Sequence, residues 1–163
     1  MFKFKLNITI IRILLIFIII TFFLPFFAVS CSRQDKGITF SGFELSAGKN
    51  INGEWQNGNA LGFALIIPAF IALLLTFLIY ISKNNKLYKI CRYIFFIVPL
   101  FNIFAGFIIW YAFKSYILKM FIDRDFKDIP VFIDVKYGFW LYIVFNVAVF
   151  VFGVVNYFKR DNL

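Results

Sequence analysis

Four runs of apolar residues divide the chain, over about 6–29, 60–81, 93–113 and 138–158. At roughly 1.5 Å per helical residue, about twenty apolar residues cross a hydrocarbon core of roughly 30 Å. Each run therefore predicts a transmembrane helix, and the pattern predicts an all-α membrane protein: one domain over 1–163, folded as a four-transmembrane-helix bundle. The first run carries no charge from residue 13 to 29, and Ile8 to Ile11 lengthen it on the other side of Arg12.

The polar stretches between the runs are unequal, with long loops at 30–59 and 114–137 and a short one at 82–92. In the first long loop, Ile38-Thr39-Phe40-Ser41 alternates apolar and polar at strand period, and Asn52-Gly53 and Asn57-Gly58 are turn dipeptides. That loop reads as a β-hairpin lying on the bundle, an irregular loop with one or two turns being the alternative. In the second, Tyr116, Ile117, Met120 and Phe121 recur at helical spacing before the charged run of residues 123–128, and Pro130 follows. This predicts a short interfacial helix continuing or flanking the third span. The two loops together would form a small outer cap. No internal repeat or low-complexity tract is visible.

Composition agrees with lipid as the main solvent: the chain is 63% hydrophobic and 15% charged, with mean hydropathy +0.88. Soluble domains run near 45–50% apolar and about 25% charged. The net charge of +9 is better read as topology signal and headgroup contact than as a nucleic-acid surface, because the cations flank the apolar runs. With both termini cytoplasmic, the inside holds Lys3, Lys5, Arg12, Lys83, Lys86, Lys89, Arg92, Lys159 and Arg160 against Asp161 alone. The remaining eight cations and seven acids then fall outside. The short loop decides the orientation, having four cations and no acid. Both termini are thus expected inside a cytoplasmic membrane. Trp110, Tyr111, Tyr137, Trp140 and Tyr142 would mark the outer interface, and Tyr80, Tyr93 and Tyr157 the inner one.

Ala28-Val29-Ser30-Cys31 approximates a bacterial lipoprotein signal, which would leave a lipid anchor on Cys31 after cleavage. Against it stand the length of the apolar run, Pro25 within it, and three further spans that make an anchor redundant. The expectation is an uncleaved first helix. Leu24-Pro25-Phe26-Phe27, Ser30-Cys31-Ser32 and Ser41-Gly42-Phe43-Glu44-Leu45-Ser46-Ala47-Gly48 resemble a pattern of small, largely uncharacterised bacterial four-span membrane proteins: a Leu-Pro-aromatic helix end, Ser-Cys with a following Gly, then Ser-Gly-x-x-Leu-Ala-x-Gly. The likeness covers about 25 residues and departs from the pattern at Arg33, where Gly is expected, and at Ser46. It singles out Ser30, Cys31, Ser41, Gly42, Leu45 and Gly48, and implies an intact first helix with a packed outer loop. The overall plan also resembles animal claudin-type tetraspans, although the paired cysteines and Gly-Leu-Trp of their first loop are missing and only Trp55 is present.

Candidate chemistry is sparse. Two cysteines and no histidine exclude the common structural zinc patterns and His-based acid–base catalysis. Asp123, Asp125, Asp128 and Asp134 are interleaved with Arg124, Lys127 and Lys136, which reads as a solvated, charge-balanced face rather than a cation site. No metal or other cofactor is expected. All eight carboxylates lie in loops or the tail, and Arg12, near an inner end where it can snorkel, is the only charge at a span boundary. Pumps, ion-coupled transporters and intramembrane proteases usually place ionisable groups within spans, so those classes are disfavoured.

Small and polar residues mark packing faces instead. Ala60, Ala64, Pro68, Ala72 and Thr76 repeat every fourth residue in the second run; Asn102 and Gly106 share a face of the third, and Asn146, Gly153 and Asn156 a face of the fourth. Asn102 and Asn146 both fall near the bilayer midplane, where an amide seeks a partner. The third and fourth helices are therefore expected to be neighbours with these amides facing each other or sharing a partner. The function expected from all this is non-enzymatic: a structural or accessory subunit of a bacterial envelope complex, in contact with membrane lipids and with a protein partner or second copy, and not with nucleic acid. A carrier or binding module for a lipid or other hydrophobic molecule is the alternative.

Overall fold

The computed structural model describes residues 2–31, 37–51, 53–82, 85–123 and 130–158. Among the described residues there are five helices, α1 (Phe2–Thr21), α2 (Gly42–Ala47), α3 (Ile67–Ser82), α4 (Asn85–Asp123) and α5 (Tyr137–Phe158), with a 3-10 segment, Ala60–Leu65, leading into α3. Three of these helical stretches, Ala60–Ile79, Tyr93–Lys119 and Tyr137–Val155, are long and apolar enough to cross a membrane, whereas the apolar stretch of α1, Ile8–Thr21, is shorter. The protein is a membrane protein built mainly of helices.

It is not all-α. Among the described residues five strands, β1 (Pro25–Ser30), β2 (Ile38–Ser41), β3 (Gly48–Ile51), β4 (Glu54–Asn57) and β5 (Phe132–Val135), form two antiparallel sheets ordered β2-β1-β5 and β3-β4. The expected first helix over 6–29 therefore stops at Thr21. Pro25 is the physical reason: it has no N–H to donate, and it drives Leu24 out of the helical region. The last turn tightens to three-residue bonds, Phe22, Phe23 and Leu24 donating to the carbonyls of Ile19, Ile20 and Thr21. The next six residues form the central strand, with Pro25 at its first position, where a missing donor is tolerated. A bulge at Phe26, between the pairs Pro25↔Ser41 and Phe27↔Phe40, lets consecutive phenylalanines both be buried.

The second expectation to be amended concerns the hairpin. A hairpin is present, but Ile38–Ser41 pairs with β1, and the tight β3–β4 pair is closed at Gly53. Gly53 has φ +90 and donates its N–H to the Asn50 side chain; Asn52 lies outside the described residues. Asn57-Gly58 ends β4 rather than turning a hairpin. In the second loop, α4 runs on unbroken to Asp123, so the expected interfacial helix is its continuation, with Ile117 buried and Tyr116 exposed. The side chains of Met120 and Phe121, and residues 124–129, lie outside the described residues. At the other end of α4, residues 85–92 are helical, not loop.

α1 packs between α3 and α5, α4 completes the ring opposite it, and each neighbouring pair is antiparallel. The seams alternate three- and four-residue steps: Ile11, Leu15, Ile18 and Phe22 on α1, Phe139, Tyr142, Asn146, Val149 and Gly153 on α5. On α3 the seam is Leu65, Ala69, Ala72 and Thr76. The expected every-fourth-residue stripe is therefore corrected: Ala72 and Thr76 are in the seam, Ala64 and Pro68 are half-buried, and Ala60 is exposed. A strict four-residue step overshoots the helical repeat of 3.6, so it drifts off the face that the alternation of three and four follows.

Candidate functional site

Polar side chains gather at two places, inside the bundle and in the cap. In the bundle, Asn146 begins nine residues after the start of α5, about 14 Å into a core of roughly 30 Å. Its Oδ1 accepts from Asn102 Nδ2 at 3.0 Å, and its own Nδ2 donates to the Tyr142 carbonyl at 2.9 Å. Both amides are fully buried. One turn toward the cap, the Tyr142 hydroxyl donates to the Leu65 carbonyl at 2.9 Å. That carbonyl is free because the 3-10 segment gives way to α3 there and Pro68, three residues on, has no N–H to offer it. Pro68 thus matters at the helix start rather than in a packing stripe, and Tyr142 is a core residue rather than an interface anchor. Trp140 and Tyr137 on the same helix are exposed as the belt pattern expects, while Trp110 is only partly so. Among the described residues, two buried polar atoms, Asn102 Oδ1 and Trp110 Nε1, have no hydrogen-bond partner.

The two glycines of these faces differ. A Cβ on Gly153 would lie 2.8 Å from the Phe95 carbonyl oxygen, which Pro99, four residues on, leaves without its helical donor. Close approach of α4 and α5 depends on this residue. A Cβ on Gly106 would meet Ile143, Phe139 and Tyr142 at 3.5–3.7 Å, ordinary contact, so Gly106 is not required for it. The side chain of Asn156 lies outside the described residues.

Arg12 lies in the half of α1 away from the cap, opposite Thr76 near the end of the apolar stretch Ala60–Ile79, and makes contacts that the sequence did not show. Its Nε donates to Thr76 Oγ1 at 3.1 Å, its Nη2 to the Thr76 carbonyl at 2.6 Å, and the guanidinium lies 5.0 Å from the Phe77 ring centroid. Thr76, fully buried, donates its own hydroxyl hydrogen bond to the Leu73 carbonyl at 2.7 Å. Arg12 therefore ties α1 to α3.

In the cap, the motif residues from Ser41 to Gly48 have structural tasks. Ser41 caps α2 with a reciprocal pair of bonds: its hydroxyl accepts from the Glu44 N–H, and the Glu44 carboxylate accepts from the Ser41 N–H at 2.8 Å. Gly42 lies where a Cβ would be 2.5 Å from the Phe22 ring, so the cap seats directly on the end of α1. The Leu45 carbonyl accepts from Asn59. Gly48 ends α2 at φ +106, a region side chains avoid. Ser30 pairs with Phe132 at the end of β1, and Cys31 follows it, exposed and with a free thiol. Lys49 closes the cap, its ammonium 2.8 Å from Glu44 and 5.5 Å from the Phe40 ring centroid. Partial burial pushes the Glu44 carboxyl up, but Lys49 and the Ser41 bonds override it and hold it below its ordinary value. Among the described residues no three of His, Cys, Asp and Glu gather as metal ligands, and Asp134 pairs with Lys136 at 3.4 Å.

Between cap and bundle lies an aromatic layer. Phe26 packs edge-on to Phe22 and Phe139, and Phe27 stacks on Phe113 at 5.1 Å. It welds the sheet to α1, α4 and α5. Compared with known families, curated proteins and solved structures, the chain finds no match in any of the three.

Proposed function

We propose that this chain is a four-span protein of a bacterial cytoplasmic membrane, with both termini cytoplasmic and the cap outside, that serves as a non-enzymatic structural or accessory subunit of an envelope complex. The observation that carries this reading is the use to which the motif residues are put: Ser41, Gly42, Glu44, Leu45 and Gly48 build and seat a rigid cap. α1 crosses with the other three because it fills the space between α3 and α5, and its outward face of Ile13, Ile16, Phe17 and Ile20 is as apolar as theirs. The excess of Lys and Arg in residues 82–92 supports the orientation.

An uncleaved chain belongs to this reading. Cleavage before Cys31 would remove α1 and the central strand β1, and with them Ile11, Leu15, Ile18, Phe22, Phe26, Phe27 and Ala28 of the buried core. A second reading, a carrier or binding module for a hydrophobic molecule bearing a polar group, draws on the unpartnered Asn102 Oδ1 and Trp110 Nε1, which such a group would satisfy. Native mass spectrometry of gently extracted protein tests the choice. The subunit reading expects a protein that co-purifies at fixed stoichiometry; the chain alone with one bound lipid would replace it with the carrier.

A further inference from the structure

The end of α1 and the cap share an exposed apolar surface that is continuous with the outward face of the bundle. α2 docks there through two contacts: the Phe43 N–H donates to the Phe22 carbonyl at 3.1 Å, and the Phe43 ring stacks on Phe23 with centroids 5.6 Å apart. Phe23 is 57% exposed, Phe43 43% and Leu61, at the start of the 3-10 segment, 69%. α2 and the 3-10 segment pack on each other through the Asn59 N–H and Leu45 carbonyl. The charged residue of α2, Glu44, is bound to Lys49.

Three registers place this surface at the edge of the apolar layer. Leu24 touches Gly138 at the start of α5, so Phe23 lies level with the first turn of α5, where Trp140 is exposed. Leu61 is the second residue of the membrane-long apolar stretch Ala60–Ile79. Phe23 itself extends the outward row Ile13, Ile16, Phe17 and Ile20 of α1. Aromatic and aliphatic side chains at that depth partition into the boundary between headgroups and acyl chains.

We propose that α2 and the 3-10 segment form a foot that seats the cap on the bilayer, with Phe43 and Leu61 entering the acyl-chain boundary of the cap-side leaflet. The occupant of this surface is phospholipid, and the foot fixes the height at which the β3–β4 hairpin and its exposed Trp55 stand above the membrane. The proposal rests on the membrane-spanning reading of the bundle, and its test separates the two.

Single cysteines at Phe43→Cys, Leu61→Cys, Leu74→Cys and Trp55→Cys, in a Cys31→Ser, Cys91→Ser background, carry nitroxide labels in phosphatidylcholine–phosphatidylglycerol vesicles. Collision with oxygen, which concentrates in lipid, is compared with collision with a water-soluble nickel chelate. Labels at 43 and 61 are expected to be rich in oxygen and shielded from nickel, like the label at 74, and opposite to the label at 55. Nickel access at 43 and 61 equal to that at 55, with 74 still in lipid, overturns the foot alone. Shielding of 43 and 61 from both reagents also overturns it, because protein then covers the surface. Nickel access at 74 overturns the spanning reading instead. Phe43→Trp provides the independent check: bromine placed high on the lipid chains should quench the added fluorescence severalfold more than bromine near the chain ends, and equal quenching contradicts the depth.

Discussion

Replacing Asn146 by leucine should cost more than replacing Asn102, although the two share one hydrogen bond. Asn146 uses Oδ1 for Asn102 and Nδ2 for the Tyr142 carbonyl, whereas Asn102 makes the shared bond only, and its Oδ1 has no partner. Asn146→Leu strands a whole buried amide on α4, and leaving a buried polar group unsatisfied costs about 1–3 kcal/mol. Asn102→Leu removes an atom that was already unsatisfied together with one bond, so its cost falls toward the small end. The shared bond is worth about 0.6 kcal/mol and at most about 2, because amides in the membrane-embedded unfolded state find other partners. The double variant should therefore be cheaper than the sum of the singles, and adding Asn102→Leu to Asn146→Leu should be neutral or stabilising. Reversible unfolding in mixed micelles, titrated with dodecyl sulfate and followed by circular dichroism, measures all three. Strict additivity, or Asn102→Leu as the costlier single change, would refute the reasoning.

Gly153→Ala should destabilise by about 1–3 kcal/mol through overpacking against the Phe95 carbonyl, while Gly106→Ala should be neutral or gain up to about 1 kcal/mol; equal costs in the same titration would contradict the contact geometry. The lowered Glu44 value means that the folded cap binds its proton less readily than the unfolded chain, so this contribution is present above the usual carboxylate range near pH 4.3 and is lost as pH falls through the folded value. The protection of cap amides against hydrogen exchange, corrected for the intrinsic rate at each pH, should therefore fall on acidification more in the wild type than in Glu44→Gln, and parallel protection profiles would remove Glu44 from the account. Intact-mass measurement should find α1 and β1 still joined to the rest of the chain; a species beginning at an acylated Cys31 would show that they are discarded.

The long helices were legible because twenty apolar residues in a row have few other uses, and the Asn102–Asn146 contact because depth and antiparallel packing leave a midplane amide few partners. β1 was hidden inside the first apolar run. A strand buried on both faces shows no alternation, so Pro25-Phe26-Phe27-Ala28-Val29 reads as helix until the proline is given its full weight. β5 escaped because four residues, Phe132-Ile133-Asp134-Val135, carry too little period to register, and their partner strand is far away in sequence. Tyr142 misled differently, since an aromatic near a helix start looks like a belt residue, and only the 3-10 segment opposite supplies the carbonyl that draws it inward. The cap motif was visible as a pattern, but its meaning as a capping box seated on Phe22 required the docking of α2 on α1.

The account's central claim is a bundle that crosses the membrane four times with the cap outside and the short basic connection within. Cys31, exposed beside the cap, and Cys91, in the basic segment near the start of α4, report on the two sides. In intact cells a membrane-impermeant maleimide should label Cys31 and leave Cys91 untouched until the cells are permeabilised. Labelling of Cys91 in intact cells, with Cys31 protected, would contradict the account and invert the protein.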